Sequence, residues 1–116
     1  MTIVLGSRVR VVVDRPLGSY HPKHKTLYYP INYGYIEGVI APDGEELDAY
    51  IVGVSVPLSE FEGEVVAVIH RLDDSEDKLV VAPVGSRYTK DEILSFTHFQ
   101  EQFFTVTVDV IENDGE

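Results

Sequence analysis

The chain has 116 residues, of which 44% are hydrophobic and 10% aromatic, enough for a buried core in a single domain spanning residues 1–116. Its formal net charge of −11 argues against nucleic acid or an anionic membrane as a general partner. The absence of cysteine excludes disulfides, a thiol nucleophile and a cysteine-based metal site.

The sequence shows no targeting or membrane segment. No apolar run approaches the roughly 20 residues that a membrane-spanning helix needs. At the N-terminus, MTIVLGSRVRVVVD, the arginines follow the apolar residues, which is the reverse of the order in a secretory signal. We therefore expect a cytoplasmic protein.

The first predicted element is a buried strand at residues 8–14, RVRVVVD, followed by a turn at Pro16 and Gly18. Arg8 and Arg10 lie two residues apart, so they point to the same side of this strand.

A basic segment follows at residues 20–28, YHPKHKTLY. It contains His21, Lys23, His24 and Lys25 in an otherwise acidic chain, a composition that suits an anion. The His-x-x-His spacing alone is a weak indication of a metal site, because a third nitrogen ligand is lacking nearby.

An acidic turn is predicted between two strands, NYGYIEGVIA at residues 32–41 and LDAYIVGV at residues 47–54. Asp43, Glu45 and Asp48 form the pattern D-x-E-x-x-D. Three carboxylates on one turn repel each other unless a hard divalent cation neutralises them. An ordinary solvated turn is the alternative interpretation.

Tyrosine and asparagine side chains precede this turn. Tyr29, Asn32, Tyr33 and Tyr35 offer neutral hydroxyl and amide donors, which suit phosphate oxygens. The alternative is that the tyrosines are half-buried strand residues with solvated tips.

A second acidic segment lies in residues 70–83, HRLDDSEDKLVVAP, and its acids come immediately before Lys78. Taken alone, it predicts a solvated hairpin loop between two apolar strands. Taken with the first acidic turn, it predicts the second wall of one metal pocket. Its four acids occupy five positions: Asp73, Asp74, Glu76 and Asp77.

Residues 88–104 predict a helix, with Thr89 as N-cap and Glu92 completing a capping box. Its apolar stripe consists of Ile93, Phe96, Phe99 and Phe103. The tail from residue 105 alternates as an edge strand. About six strands and one late helix suit a small closed β-barrel.

The stretch YPINYGYIEG followed by DGEELDAY resembles the signature of the soluble family I inorganic pyrophosphatases, in which a YPxNYGYIxxT strand leads to a D-G-D-x-x-D turn. The second acidic segment resembles that family's later acidic loop with its D-x-K. The resemblance implies an OB-like β-barrel of the pyrophosphatase fold with one C-terminal helix. It also implies an oligomer that hydrolyses pyrophosphate to two phosphates with Mg²⁺, or Mn²⁺, as cofactor.

The resemblance also assigns roles to residues. It implies that Glu45 is the general base and that Tyr33 and Lys78 act in catalysis and bind phosphate. Arg10 falls where the family often carries a phosphate-binding lysine, with a surface arginine pair as the alternative. Lys25 or Lys23 replaces a phosphate-binding arginine, or that contact is missing. The implied metal ligands are Asp43, Asp48, Asp73 and Glu76, with Asp74 an alternative to Asp73 and Asp77 an alternative to Glu76.

Several positions depart from the family pattern. Glu45 and Glu76 stand where the family has Asp, and an added methylene displaces a carboxylate by about 1 Å, which can cost on the order of 10²-fold in rate. Phe103 and Phe104 stand where a Tyr-Lys pair contacts phosphate. The alternatives to a pyrophosphatase are therefore a metal-dependent hydrolase of another phosphoanhydride and a non-catalytic phosphate-binding barrel. The catalytic interpretation requires the two acidic segments to lie within about a dozen ångströms of each other.

Overall fold

The structure, a computed structural model, describes residues 5–41, 44–73 and 76–111. Those ranges contain six strands and one helix, in agreement with the number predicted from the sequence. In chain order these are β1 (Arg8–Arg15), β2 (Asn32–Ile40), β3 (Glu46–Ile51), β4 (Glu60–Arg71), β5 (Asp77–Ala82), α1 (Lys90–Glu101) and β6 (Val106–Val110).

Five of the strands close into a barrel. The order along the sheet is β1-β2-β3-β5-β4, and β1 also pairs with β4, which joins the two ends. The β3–β5 pair is parallel and the other pairs are antiparallel. The predicted fold class, a β-barrel with one C-terminal helix, is confirmed.

The long strand β4 both closes the barrel and extends the sheet. Its first half pairs with β1 over residues 60–64, and its second half pairs with β6 over residues 67–71. The sequence analysis did not foresee that β4 begins as early as Glu60. Glu60 and Glu62 are exposed, whereas Phe61 is half-buried between them and Gly63 is buried. This alternation of exposed and buried side chains is the periodicity of a β-strand.

Two clusters of buried side chains fill the molecule. One contains residues from all five barrel strands, among them Val11, Ile36, Ala49, Val65 and Leu79. The other lies between the barrel, α1 and β6, and includes Tyr29, Tyr33, Tyr50, Ile69 and Ile93. Tyr29 and Tyr33 are therefore core residues rather than the half-buried strand residues that the alternative interpretation proposed.

A glycine sets the distance between β1 and β2. A Cβ atom at Gly34 would lie 1.9 Å from the carbonyl oxygen of Val12, a separation that no side chain can tolerate. Gly34 therefore lets β1 approach closely beside Tyr33.

Asn32 holds the loops around the barrel in place. Its Oδ1 accepts hydrogen bonds from the backbone amides of Leu17 (2.9 Å) and Leu58 (3.0 Å), and its Nδ2 donates to the Val56 carbonyl at 2.9 Å. The side chain is completely buried. The expectation that its amide serves phosphate is therefore not met, because the amide already satisfies backbone groups.

The predicted start of α1 is confirmed. The Thr89 side chain accepts from the Glu92 amide, and the Glu92 side chain accepts from the Thr89 amide. The helix ends at Glu101, so Phe103 lies beyond it and is 70% exposed. The prediction that Phe103 continues the packing stripe is wrong, because the chain leaves the helical path before that position.

Within the described ranges, no helix is both long enough and apolar enough to cross a lipid bilayer.

His70 joins three strands through its ring nitrogens. Nδ1 lies 3.1 Å from Asp77 Oδ1 on β5, and Nε2 lies 2.9 Å from Asp109 Oδ2 on β6. The hydrogen bond to Asp109, with that to Asp77, raises the pKa of His70. Both contacts favour the doubly protonated ring.

We predict that His70→Gln destabilises the protein more at pH 6 than at pH 8.5. The folded-state pKa is raised, so the stabilisation is fully present below the unfolded value of about 6.5 and is lost as the pH rises through the folded value. The side chains are 36%, 50% and 63% exposed, so the effect should stay below about 1 kcal/mol. Urea denaturation at the two pH values measures it.

The control for this prediction is Asp109→Asn in both backgrounds. If His70 acts through Asp109, most of the pH-dependent difference should vanish when Asp109 is already neutral. An equal pH-dependent difference with and without Asp109 would contradict the assignment.

Candidate active site

A cleft of about 700 Å³ opens where the basic segment, the end of β1 and the end of α1 meet. Three cations line it: Arg15, Arg71 and Lys78. The guanidinium of Arg15 donates to the Tyr29 hydroxyl at 2.9 Å. The cleft is therefore locally basic in a protein whose net charge is −11.

Tyr33, Asp48 and Lys78 form the centre of the candidate site. They lie on three adjacent strands, β2, β3 and β5, which brings their side chains together. Asp48 Oδ2 accepts from the Tyr33 hydroxyl at 2.8 Å and from Lys78 Nζ at 2.7 Å. Burial raises the pKa of Tyr33 far above its usual range, and the charge of Asp48 adds to this, so the hydroxyl remains a hydrogen-bond donor.

Lys78 also connects the two acidic segments. Its Nζ lies 3.3 Å from Glu76 Oε2 and 2.7 Å from Asp48 Oδ2, so those two carboxylate oxygens are at most about 6 Å apart. This is well inside the limit that the catalytic interpretation requires. The side chain of Lys78 is only 6% exposed, and a buried ammonium needs such anionic neighbours.

The other acids named from the sequence take different positions. Glu45 is exposed in the turn between β2 and β3, where its carbonyl accepts from the Ala41 amide at 2.7 Å. The Asp73 carboxylate accepts from the Thr105 amide, with both oxygens at 3.3 Å. Asp43, and Asp74 as the alternative to Asp73, lie outside the described residues.

Arg10 lies outside the set of residues that line the cleft. Its guanidinium contacts Glu37, Glu60 and Glu62 at 3.4, 2.7 and 3.8 Å. The neighbouring Val11 is buried in the barrel, so strand alternation turns Arg10 to the outer surface. Arg10 therefore pairs with exposed glutamates on the outside of the barrel, and its contact with phosphate stays a prediction.

Lys25 is exposed and is also absent from the cleft lining. Its neighbours His24 and Thr26 do line the cleft, as does His21. His21 Nδ1 accepts from the backbone amides of Lys23 and His24, at 3.0 and 3.1 Å. The basic segment therefore contributes to the cleft through imidazole rings more than through its lysines.

The sequence analysis missed Arg15. It appeared to belong to the turn that Pro16 begins. A register shift between Val13 and Arg15 shows an irregularity at the end of β1. The Arg15 guanidinium lies 5.7 and 5.6 Å from the ring centroids of Tyr29 and Tyr33.

Arg71 and Glu101 were missed as well, and they form a buried ion pair. Nε and Nη2 of Arg71 donate to Oε1 and Oε2 of Glu101 at 2.9 and 2.6 Å. The Phe104 ring lies 3.8 Å from the same guanidinium. A signal for Glu101 exists in the sequence, because Ile93, Thr97 and Glu101 follow at four-residue spacing and all three are buried.

A chain of hydrogen bonds links the two arginines beneath the cleft. The Tyr29 hydroxyl accepts from Arg15 and donates to Gln100 Oε1 at 2.7 Å. Gln100 Nε2 donates to the Tyr50 hydroxyl at 2.8 Å, and Tyr50 donates to Glu101. Burial, with the charge of Glu101, raises the pKa of Tyr50 well above its usual range, so this donor also remains protonated.

Within the described ranges, no three or more His, Cys, Asp or Glu side chains are grouped so that they could hold a metal ion. Asp48 and Glu76 present carboxylate oxygens around one point, and the Lys78 ammonium already places a positive charge there. Carboxylates are the ligands that Mg²⁺ prefers.

The barrel and its basic cleft define a protein suited to binding anions. The family model for inorganic pyrophosphatase matches residues 3–110, and the chain belongs to that family. An inorganic pyrophosphatase of Halalkalibacterium halodurans is 30% identical over 96 residues, which cover 77% of this chain and 59% of the relative. One of Caulobacter vibrioides is 28% identical over 68% of this chain and 49% of the relative. The chain thus spans between about half and three-fifths of these relatives.

Solved structures agree on the fold. The inorganic pyrophosphatase of Neisseria gonorrhoeae superposes with a TM-score of 0.62 at 25% identity, covering 92% of this chain and 82% of the other. That of Ehrlichia chaffeensis gives a TM-score of 0.68 at 16% identity, covering 96% and 93%. The second similarity concerns the fold alone.

We predict that Arg71→Met destabilises the protein by about 3–5 kcal/mol, because it leaves the carboxylate of Glu101 buried without its cation. The double variant Arg71→Met/Glu101→Gln should recover most of this loss, since no buried charge then remains unpaired. Chemical denaturation followed by circular dichroism measures both. Equal losses in the single and double variants would contradict the prediction.

Proposed function

We propose that this protein hydrolyses inorganic pyrophosphate to two phosphates with Mg²⁺ as cofactor. Membership of the inorganic pyrophosphatase family supports this. The observation that carries it is the buried Lys78 ammonium, which contacts one carboxylate from each acidic segment, Asp48 and Glu76, beside the Tyr33 hydroxyl.

Asp48 and Glu76, with Asp73 and Asp43, are the proposed metal ligands. Mg²⁺ or Mn²⁺ held there supplies a bound water of lowered pKa and positive charge toward the phosphate oxygens. Glu45 is the proposed general base, and it accepts the proton of the attacking water. As a glutamate it reaches one methylene further than an aspartate at the same place.

The chain's own cations would bind and orient the substrate. Lys78 Nζ and the Tyr33 hydroxyl are donors directed at one oxygen of Asp48, and both residues line the cleft. Once a metal ion engages Asp48, these donors would be free to turn to the leaving phosphate and stabilise its charge. We place Arg15 in the set in preference to Arg10, because Arg15 lines the cleft.

A second candidate is the hydrolysis of a larger phosphoanhydride that carries an organic group. The cleft volume of about 700 Å³ lies in the range of pockets that enclose drug-sized ligands. Phe99, Phe103 and Phe104 line one part of it, and the exposed ring of Phe103 suits a planar or apolar substituent.

We also propose a cytoplasmic homo-oligomer. The strand β6 ends the sheet order, and a strand at a sheet edge can pair with a second copy. Sedimentation velocity measures the state directly, and a monomer at micromolar concentration would exclude this part of the proposal.

The test is phosphate release from pyrophosphate and from several nucleoside and other organic diphosphates, with Mg²⁺ or Mn²⁺ present. Asp48→Asn is expected to lower the rate by about 10²-fold or more, because it removes a proposed metal ligand and the partner of both Lys78 and Tyr33. Glu45→Gln should lower kcat similarly, since an amide cannot accept a proton.

Glu62→Gln is the matched control, because it makes the same chemical change at an exposed site that contacts Arg10; it should retain activity. A preference for an organic diphosphate over pyrophosphate supports the second candidate. Absence of release from every substrate, while calorimetry shows phosphate binding, would exclude both and leave a non-catalytic barrel.

A further inference from the structure

One oxygen of Glu76 is shared by two cations that line the cleft. Oε2 lies 3.2 Å from Arg71 Nη1 and 3.3 Å from Lys78 Nζ. The two nitrogens are therefore at most about 6.5 Å apart. Tetrahedral phosphate oxygens, each within about 3 Å of a nitrogen, can span such a gap.

Both cationic side chains are held in place by contacts other than Glu76. Arg71 is held by two hydrogen bonds to Glu101 and by the ring of Phe104. Lys78 is held by Asp48 at 2.7 Å. Each cationic side chain is 6% exposed, so their positions are set by the fold.

Glu76 is the partner that can leave. Its side chain is 38% exposed, and it precedes β5 in the hairpin that follows β4. Rotating this carboxylate into water restores its hydration, whereas withdrawing either buried cation from its other contacts would leave buried carboxylates unpaired, which costs far more. An arriving anion therefore has a low-cost route to exchange places with Glu76.

We propose that Arg71 and Lys78 form a binding site for one phosphate group of the substrate, and that the Glu76 carboxylate occupies this site until phosphate displaces it. The inference deepens the proposed function and rests on it for the identity of the anion. It assigns to Arg71 a substrate-binding role in the cleft.

The exchange makes metal and phosphate binding cooperative. A divalent cation that engages Glu76 removes the internal competitor from Arg71 and Lys78. Phosphate binding in turn releases Glu76 toward the metal. The two ligands must then raise each other's affinity by the same factor.

The experiment is calorimetric titration of the intact protein with inorganic phosphate, first in a chelator and then with Mg²⁺. In the chelator, Glu76→Gln should bind phosphate about tenfold more tightly than wild type, because an amide competes weakly for two cations. Arg71→Met/Glu101→Gln should bind about tenfold more weakly, with folding verified by circular dichroism. With Mg²⁺, the phosphate affinity of the wild type should rise by a larger factor than that of Glu76→Gln.

Asp77→Asn is the matched control for net charge. It removes one negative charge at the adjacent residue, whose carboxylate contacts His70 rather than the cleft cations. It should change phosphate affinity much less than Glu76→Gln does. An equal increase in the two variants would assign the effect to general electrostatics and overturn the proposal.

Two further outcomes overturn it: Glu76→Gln binding phosphate no more tightly than wild type in chelator, and the double variant keeping wild-type affinity. These results are distinguishable from failure of the proposed function. A protein that hydrolyses pyrophosphate without showing the exchange loses only this inference. A protein that shows the exchange but releases no phosphate retains the binding site and loses the enzymatic activity.

Discussion

The buried ammonium of Lys78 is the constraint around which the site is organised. A charge that is 6% exposed needs anionic neighbours, and the fold supplies Asp48 from β3 and Glu76 from the segment before β5. The parallel pairing of β3 with β5 is what brings the first of these into place. Two acidic segments, 25 or more positions apart in sequence, therefore meet because one cation requires both.

The buried ion pair of Arg71 and Glu101 fixes the position of the helix α1. Glu101 ends α1 and Arg71 ends β4, so the bidentate contact fixes the end of the helix over the barrel. Tyr50, Gln100 and Tyr29 then extend this polar contact as far as Arg15. Because every donor in that chain has an acceptor, the polar groups can lie beneath the cleft without the cost of unsatisfied burial.

Local sequence patterns predicted most of the fold. The capping box of Thr89 and Glu92 and the predicted strands are short-range signals that the structure contains, although of β1, predicted as a buried strand, only Val11 is buried. The lining of the cleft was harder to predict from the sequence. An irregularity at the end of β1 sets the position of Arg15, and Arg71 is buried by a contact with Glu101, 30 residues away in the chain. Only the helical spacing from Ile93 to Glu101 hinted at the latter. Arg10 was matched to the family's lysine by spacing along the chain, and such spacing does not indicate which face of the barrel the side chain occupies.

An acidic chain can bind a polyanion without becoming basic overall, since the relevant charges are local. In the cleft the two buried cations, Arg71 and Lys78, are already paired with carboxylates, so an incoming phosphate does not find them as empty positive sites. In the proposed exchange phosphate displaces a carboxylate, which keeps the number of buried charges balanced where simple addition would not. The carboxylates released in this way are oxygen donors of the kind that Mg²⁺ selects. In the proposed mechanism, phosphate therefore binds the cations of these ion pairs and the metal binds their carboxylates.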